Sequence, residues 1–134
     1  MREDQPSAEG LLGSLEYEVM QCLWAGAPKN VSAVLADLNA TRAAGDALAY
    51  TTVMTVLARL YDKGYLTREQ RGRGYDYAPA FTEVELVGHL GKRDVEQLLA
   101  RYGPVALAQF AAALDGADPA LLERLRREAG ADDA

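Results

Sequence analysis

Cysteine, histidine and tryptophan each occur only once in this 134-residue chain. A single cysteine, Cys22, cannot form an intramolecular disulfide, and with the one histidine, His89, it cannot supply the usual ligands of a zinc site. The same scarcity argues against a Cys–His nucleophile pair. Gly72 and Gly74 lack the neighbouring Lys-Ser/Thr of a phosphate-binding loop. We therefore expect no enzymatic activity, no metal and no cofactor.

Long apolar runs are also missing from the sequence. No stretch approaches the roughly 20 residues that a membrane-spanning helix needs, and the first residues show no secretory pattern. We therefore expect a cytoplasmic protein. The hydrophobic content of 49% can supply a core, and the length suits one domain with an appendage.

The formal net charge of −6 is distributed unevenly along the chain. Residues 51–75 carry a net charge of +3, whereas residues 1–50 carry −4 and residues 76–134 carry −5. Positive charge concentrated in one segment indicates a localised surface for an anionic partner. The acidic remainder would repel a phosphate backbone, so we expect weak nonspecific binding to DNA.

Residues 50–60 predict a helix with an unusual outer face. Val53, Val56, Leu57 and Leu60 recur at helical spacing and would point towards the core. The opposite side carries short hydroxyl groups, a flexible methionine and one arginine, at Thr51, Thr52, Met54, Thr55 and Arg59. These side chains allow another molecule to approach closely. The pattern therefore predicts a recognition helix that lies in the major groove of double-stranded DNA.

A basic β-hairpin is predicted directly after this helix. Lys63-Gly64 is a helix stop, and two extended segments flank the glycine-rich stretch Arg71-Gly72-Arg73-Gly74. Arg71 and Arg73 at the tip, together with Arg68 on the first strand, offer planar donors to phosphates or to a narrow groove. A helix followed by a basic hairpin predicts a winged helix-turn-helix.

The complete chain is predicted to be mainly α-helical with a small β-wing. Ser14 and Asn30 are candidate N-caps of the first two helices. Thr82 and Glu85 form a capping box that would open a helical region. The expected organisation is a flexible arm at residues 1–11, a winged-helix DNA-binding domain at residues 12–80 and a helical dimerisation region at residues 81–134.

The helical region carries more apolar side chains than three short helices can hide against one another. The candidate interface residues are Val84, Val87, Leu98, Tyr102, Leu107, Phe110, Leu114, Leu121, Leu122 and Leu125. These helices either pack back on the winged helix or pair with a second copy. We favour a two-fold homodimer, because it would explain why a DNA reader carries them.

Three sequence strings resemble the penicillinase-repressor (BlaI/MecI) family. They are EYEVMQCLW at residues 16–24, TTVMTVLARL at residues 51–60 and RGYDYAP at residues 73–79. The resemblance implies a homodimeric repressor that binds an inverted-repeat operator of the TACA/TGTA type. It also implies control of β-lactamase or of other antibiotic and cell-envelope stress genes.

The resemblance further implies which residues contact DNA and how repression ends. By position, Thr51, Thr52, Thr55 and Arg59 would contact the major groove, and the two arginines of the hairpin tip the backbone or minor groove. In this family a membrane metallopeptidase sensor triggers cleavage of the repressor. By position, the resemblance implies that the candidate bond is Gln109-Phe110. The chain lacks the paired cysteines of the family's copper-responsive branch, which disfavours copper sensing.

Two other functions stay open on the sequence. A ligand-gated repressor of the MarR type would place a small-molecule pocket between the dimerisation helices and the wing, although no polar-lined pocket is evident. A winged-helix protein-interaction module would fit the acidic surface. That function leaves the threonine-rich helix face and the basic hairpin tip unexplained.

Overall fold

A computed structural model describes residues 7–116, 118–120, 123–124 and 126–127. Its elements are α1 Ser14–Ala25, α2 Val31–Asn39, α3 Tyr50–Asp62, β1 Leu66–Arg71, β2 Gly74–Pro79, α4 Glu83–Tyr102 and α5 Pro104–Leu114. A short 3₁₀ helix, Ala44–Asp46, lies between α2 and α3. This mainly helical structure with one small hairpin confirms the predicted fold class.

The chain divides into two compact units, Met1–Gly91 and Lys92–Ala134. The division falls inside α4, about a turn and a half beyond its capping box, whereas the sequence placed a boundary at residue 80. Leu86 explains the difference, because this α4 side chain is fully buried with the core of the first unit. The first unit therefore contains the winged helix together with the beginning of α4.

The core of the first unit is built from one side of each helix and from the base of the hairpin. In α3, Val53, Leu57 and Leu60 are fully buried and Val56 nearly so, which confirms the inward face predicted from their spacing. The largest fully buried side chains of this core are Met20, Leu23, Leu57, Leu60 and Leu86. Burial of one side of α3 leaves its other side facing outwards.

Local capping explains where several helices begin. The Asn30 carboxamide oxygen accepts a hydrogen bond from the Ala33 amide at 2.8 Å, as predicted. The capping box before α4 is also confirmed, with reciprocal hydrogen bonds between Thr82 and Glu85 at 2.8 and 3.1 Å. The predicted cap at Ser14 is wrong. That residue is already the first of α1, and the preceding Gly13 amide donates to the Glu16 carboxylate at 3.1 Å.

The hairpin is antiparallel and closes with a two-residue turn. Arg71 pairs with Gly74, which leaves Gly72 and Arg73 in the turn. Gly72 has a φ of +63°, a conformation that glycine adopts without steric cost. At its base, Tyr77 exchanges two backbone hydrogen bonds with Lys29, at 2.8 and 3.0 Å. The segment before α2 thus anchors the hairpin.

The residues immediately before α1 are packed against the first unit. Ala8 is fully buried, and its amide donates to the Glu83 carboxylate at 2.9 Å. Ala8 is thus held by the core and by a distant carboxylate, whereas the other residues of this segment are exposed, and the flexibility of the arm stays a prediction. Residues 1–6 of the predicted arm lie outside the described residues.

The second unit contains the end of α4 and all of α5. Gly103, with a φ of +58°, separates the two helices. None of the described residues of this unit is buried. Across the described part of the chain, no helix has both the length and the apolar character needed to cross a membrane.

Candidate nucleic-acid interface

The outer side of α3 is fully presented to solvent. All five residues selected from the sequence are exposed, and we call them the recognition face: Thr51, Thr52, Met54, Thr55 and Arg59. The sequence did not single out Tyr50, which is the first residue of α3 and is 48% exposed. Its place at the start of the same helix, one residue before Thr51, is the signal that could have identified it.

The recognition face lies beside the hairpin. Met54, Thr55 and Arg59 line one open groove together with Arg73 of the turn and Tyr75 of β2. A second shallow groove runs along the other edge of α3, towards the residues that begin α1. The structure therefore brings three of the predicted helix residues to a common surface with two arginines of the hairpin, Arg68 and Arg73.

The two arginines of the hairpin tip extend away from the core. The Arg71 side chain is 83% exposed, and its Nε lies 3.4 Å from an Asp76 carboxylate oxygen, which is a long separation for an ion pair. Arg73 is exposed in the turn itself. Both guanidinium groups are thus accessible to an approaching anion.

Arg68, the third arginine of the hairpin, has different surroundings. Its guanidinium carbon lies 3.8 Å from the centroid of the Tyr61 ring and 4.1 Å from the centroid of the Tyr75 ring. Tyr61 belongs to the last turn of α3, and Tyr75 belongs to β2. Arg68 is half-buried. It therefore contacts the protein far more than the two arginines at the tip do.

Ion pairing distinguishes the candidate interface from the rest of the first unit. Three basic side chains are paired at short distance: Lys29 with Asp37 at 2.6 Å, Arg42 with Glu18 at 2.7 Å and Lys63 with Glu16 at 2.9 Å. Within the described ranges, Arg59 and Arg73 form no ion pair. In the described part of the first unit, the basic side chains without an ion pair are thus Arg59 on the recognition face, Arg73 at the hairpin tip and Arg68 on β1.

The Glu16 carboxylate connects the start of α1 with the end of α3. Partial burial raises its pKa, but hydrogen bonds from Lys63 and from the Gly13 amide outweigh this effect, and the nearby charge of Arg59 adds to them. The net result is a pKa below the usual value for a glutamate. Glu16 is therefore ionised at neutral pH and holds Lys63 at the edge of the candidate interface.

Cys22 is half-buried and packs against the core. Its Sγ lies 3.4 Å from a carboxylate oxygen of Asp37. Burial and this hydrogen bond raise the pKa of the thiol, although the Lys29 ammonium partly opposes them. A thiol with a raised pKa is a poor nucleophile and a poor metal ligand. No cluster of three or more metal-ligating side chains occurs among the residues that the structure describes.

The residues predicted to form a dimer interface fall into three groups. Val84, Leu98, Tyr102, Leu107 and Phe110 are exposed, at 49 to 62% of their surface. Val87 is half-buried against the core of the first unit, and Leu114 is half-buried within the second. The remaining three, Leu121, Leu122 and Leu125, lie outside the described residues.

The candidate cleavage bond lies in the middle of a helix. Gln109 and Phe110 are the sixth and seventh residues of α5, and both are exposed. The sequence placed this bond in the predicted helical region at residues 81–134, and the structure has both residues in α5.

The sequence profile of one protein family, described as penicillinase repressor, matches residues 12–129. Two curated relatives are similar over 80 residues at 44% identity, and both are the transcriptional regulator BlaI of Mycobacterium tuberculosis, from strains CDC 1551 and H37Rv. The matched segment covers 59% of this chain and 55% of each relative. The chain thus spans about half the length of these relatives.

Solved structures resemble the chain at lower identity. The solution structure of the DNA-binding domain of the repressor BlaI is 30% identical, covers 55% of this chain and 85% of its own, and has a TM-score of 0.48. The complex structure of hsRosR-S4 is 17% identical, covers 91% of this chain and 90% of its own, and has a TM-score of 0.50. The latter likeness concerns the fold alone.

Proposed function

The chain belongs to the penicillinase repressor family, and from this premise we propose that it acts as a homodimeric repressor bound to an inverted-repeat operator. Membership in a family of transcriptional repressors confirms that the chain is not an enzyme. The observation that carries the proposal is the common surface formed by the recognition face and the hairpin tip. This surface combines hydroxyl groups, a flexible methionine and unpaired arginines.

The chemistry of the recognition face suits a major groove. A groove about 12 Å wide admits an α-helix, and exposed threonine methyls and Met54 can contact thymine methyl groups. Arg59 can donate two hydrogen bonds to a guanine edge. Half-sites of the TACA/TGTA type, which the family resemblance suggests, offer both thymine methyls and a guanine. We therefore assign base readout to the exposed side of α3.

The hairpin tip is assigned to the DNA backbone or to the adjacent minor groove. Arg71 and Arg73 are accessible and stand on a tight turn, so they can reach a phosphate without unfolding the wing. Phosphate contacts position a protein on DNA but carry no base information. The wing thus supplies affinity, and α3 supplies discrimination.

The homodimer is supported by the exposed apolar side chains of the second unit. Val95, Leu98, Leu99 and Tyr102 share one side of α4, and α5 adds Val105, Leu107 and Phe110. Together these seven side chains form what we call the apolar surface. Exposed apolar clusters of this kind mark association sites. A second copy would cover it and would present two winged helices to two half-sites.

We propose that proteolysis triggered by a membrane metallopeptidase sensor ends repression. Gln109-Phe110 lies within helical α5, and proteases bind extended chains, so this bond is accessible only when α5 opens locally. A cut there would separate Phe110 from the rest of the apolar surface. Two winged helices would no longer be held together, and the affinity gained from binding two half-sites would be lost.

This role places the protein in the cytoplasm with the DNA, where it would control β-lactamase or other antibiotic and cell-envelope stress genes. Proteolytic relief is tested by exposing the host to a β-lactam and following the chain by immunoblot and mass spectrometry. We expect a cut near Gln109-Phe110 that accompanies derepression. An intact chain during full derepression would reject proteolysis and favour a ligand-gated repressor.

Operator binding is tested by selecting duplexes from a random pool with the full chain and sequencing those retained. We expect an inverted repeat to be enriched. The double variant Thr52→Ala/Thr55→Ala should lose this enrichment, whereas the control Thr41→Ala, an exposed threonine outside the recognition face, should retain it. Enrichment of no sequence by the wild-type chain would reject the proposed function.

A further inference from the structure

Arg68 stands out among the hairpin arginines because its side chain is directed towards α3. Alternation along β1 and the pairing of Arg68 with Tyr77 put Arg68 on the same face of the hairpin as buried Leu66 and Tyr77. Arg71 lies on the opposite face, beside Asp76. The two arginines therefore point to opposite faces of the hairpin, because they lie three positions apart in one strand.

The guanidinium group of Arg68 contacts both α3 and β2, the helix and the strand whose relative orientation sets the position of the wing. It stacks on Tyr61, in the last turn of α3, and on Tyr75, in the strand that follows the basic turn. The base of the hairpin is anchored by Tyr65, Leu66 and Tyr77, which are all buried. Residues 69–74 are exposed. The stack on Tyr75 thus supports the hairpin between its anchored base and its exposed tip.

We propose that Arg68 is a positioning residue that fixes the angle between the wing and the recognition helix, in place of the phosphate contact that the sequence predicted. This inference rests on the proposed DNA-binding function. A planar guanidinium stacks on two aromatic rings, whereas a lysine ammonium keeps the charge but not the planar stacking. The wing tip is thereby held beside the recognition face before DNA arrives, which lowers the cost of ordering it on binding.

The first test uses the DNA-free protein and measures amide ¹⁵N relaxation at Gly72, Arg73 and Gly74. We expect Arg68→Lys to increase motion of the tip, and Tyr75→Leu to do the same. Tyr75→Phe, which keeps the ring, and Arg71→Ala, which removes a charge without touching the stack, should leave tip motion unchanged. Unchanged tip motion in Arg68→Lys would overturn the proposal.

The second test measures affinity for the selected operator. Arg68→Lys keeps the formal charge, yet we expect binding to weaken by about 5- to 30-fold, because a lysine ammonium cannot stack on the two rings as the planar guanidinium does. In a double variant with Arg73→Ala, the loss should be smaller than the product of the two single losses, since a misplaced wing makes little use of Arg73.

The two tests separate the possible failures. Wild-type affinity in Arg68→Lys, or fully multiplicative losses in the double variant, would mean that Arg68 is an independent charge and would overturn its positioning role. Failure of the wild-type chain to bind any operator would instead reject the proposed function. The relaxation measurement would still decide whether Arg68 fixes the wing, because it needs no DNA.

Discussion

The two compact units of this chain bury apolar side chains to very different extents. In the first, Met20, Leu23 and Leu57 are almost completely enclosed. In the second, Leu107 and Phe110 are 58 and 62% exposed, and no described residue is buried. Burial of apolar area is the main favourable contribution to folding. The comparison indicates that the first unit is stabilised internally, and it supports the proposal that a second copy of the chain covers the second unit.

The outer surfaces of the two units also differ in their chemistry. The exposed side of α3 carries hydroxyls and an arginine, and the hairpin tip carries two more arginines. These groups suit a hydrated, anionic partner such as DNA. The apolar surface of the second unit suits a second copy of the chain. One unit is therefore assigned to recognition and the other to pairing.

The largest expected effect compares a leucine from each unit. Leu57→Ala should lower the free energy of unfolding by about 2 to 5 kcal/mol, because it leaves a cavity in the core. Leu98→Ala, at a half-exposed site, should change unfolding of the first unit by less than about 0.5 kcal/mol. Urea titration followed by Trp24 fluorescence reports this unit selectively, since Trp24 is the single tryptophan and donates to the Phe81 carbonyl at 2.9 Å. Equal losses of unfolding free energy in both variants would contradict the proposed difference between the two units.

The next effect concerns pairing of the second unit. Phe110→Ala should weaken the dimer by about 2 kcal/mol or more, because a large aromatic side chain at the centre of an interface is a typical hot spot. Gln97→Ala, an exposed polar position on the side of α4 away from Leu98, is the matched control. Sedimentation equilibrium gives both dissociation constants. A monomeric wild-type chain at micromolar concentration, or an unaltered Phe110→Ala dimer, would contradict the assignment of the apolar surface as the dimer interface.

A smaller effect separates two contributions within the first unit, base readout by α3 and electrostatic attraction by the hairpin. Thr55→Ala should reduce discrimination between operator and scrambled duplex by about 1 to 3 kcal/mol. Arg71→Ala should weaken binding to both duplexes alike and lower the salt slope by about 1. Fluorescence anisotropy at several salt concentrations measures both quantities. Equal losses on the two duplexes for Thr55→Ala would remove that residue from base readout.

The smallest expected effect concerns the ion pair between Glu16 and Lys63 at the edge of the recognition face. Since the pKa of Glu16 is lowered in the folded protein, its contribution to stability is fully present above the ordinary pKa of a glutamate. It is lost as the pH falls through the lower folded-state pKa. Glu16→Gln should therefore cost less than about 1 kcal/mol at pH 7 and nothing in strong acid.

Urea titrations at both pH values check this prediction. The exposed Glu69→Gln, on the hairpin, is the control for the loss of a surface carboxylate. A cost of Glu16→Gln that persists in strong acid would mean that the charge of Glu16 does not stabilise the fold.

Local patterns predicted much of the recognition unit. The spacing of Val53, Val56, Leu57 and Leu60 sufficed to orient α3, because helical periodicity is a property of neighbouring residues. The cap at Asn30 was likewise predicted from a short stretch of sequence.

Contacts between distant residues could not be predicted in this way. The hydrogen bond from Ala8 to Glu83 spans 75 positions, and the stacking of Arg68 on Tyr61 and Tyr75 depends on how the hairpin packs. For the same reason the sequence treated Arg68 as one more basic residue, whereas the fold distinguishes it from Arg71 and Arg73.

In the proposed function, two copies of the chain, joined through the second unit, place two recognition faces on one operator. The most direct test titrates the full chain against the selected inverted repeat and against a duplex of equal length that contains one half-site, with the mass of each complex measured by analytical ultracentrifugation. We predict two chains on the inverted repeat, with an affinity at least about 10³-fold above that for scrambled DNA, and much weaker binding to the single half-site. A single chain bound with equal affinity to both duplexes would contradict the account.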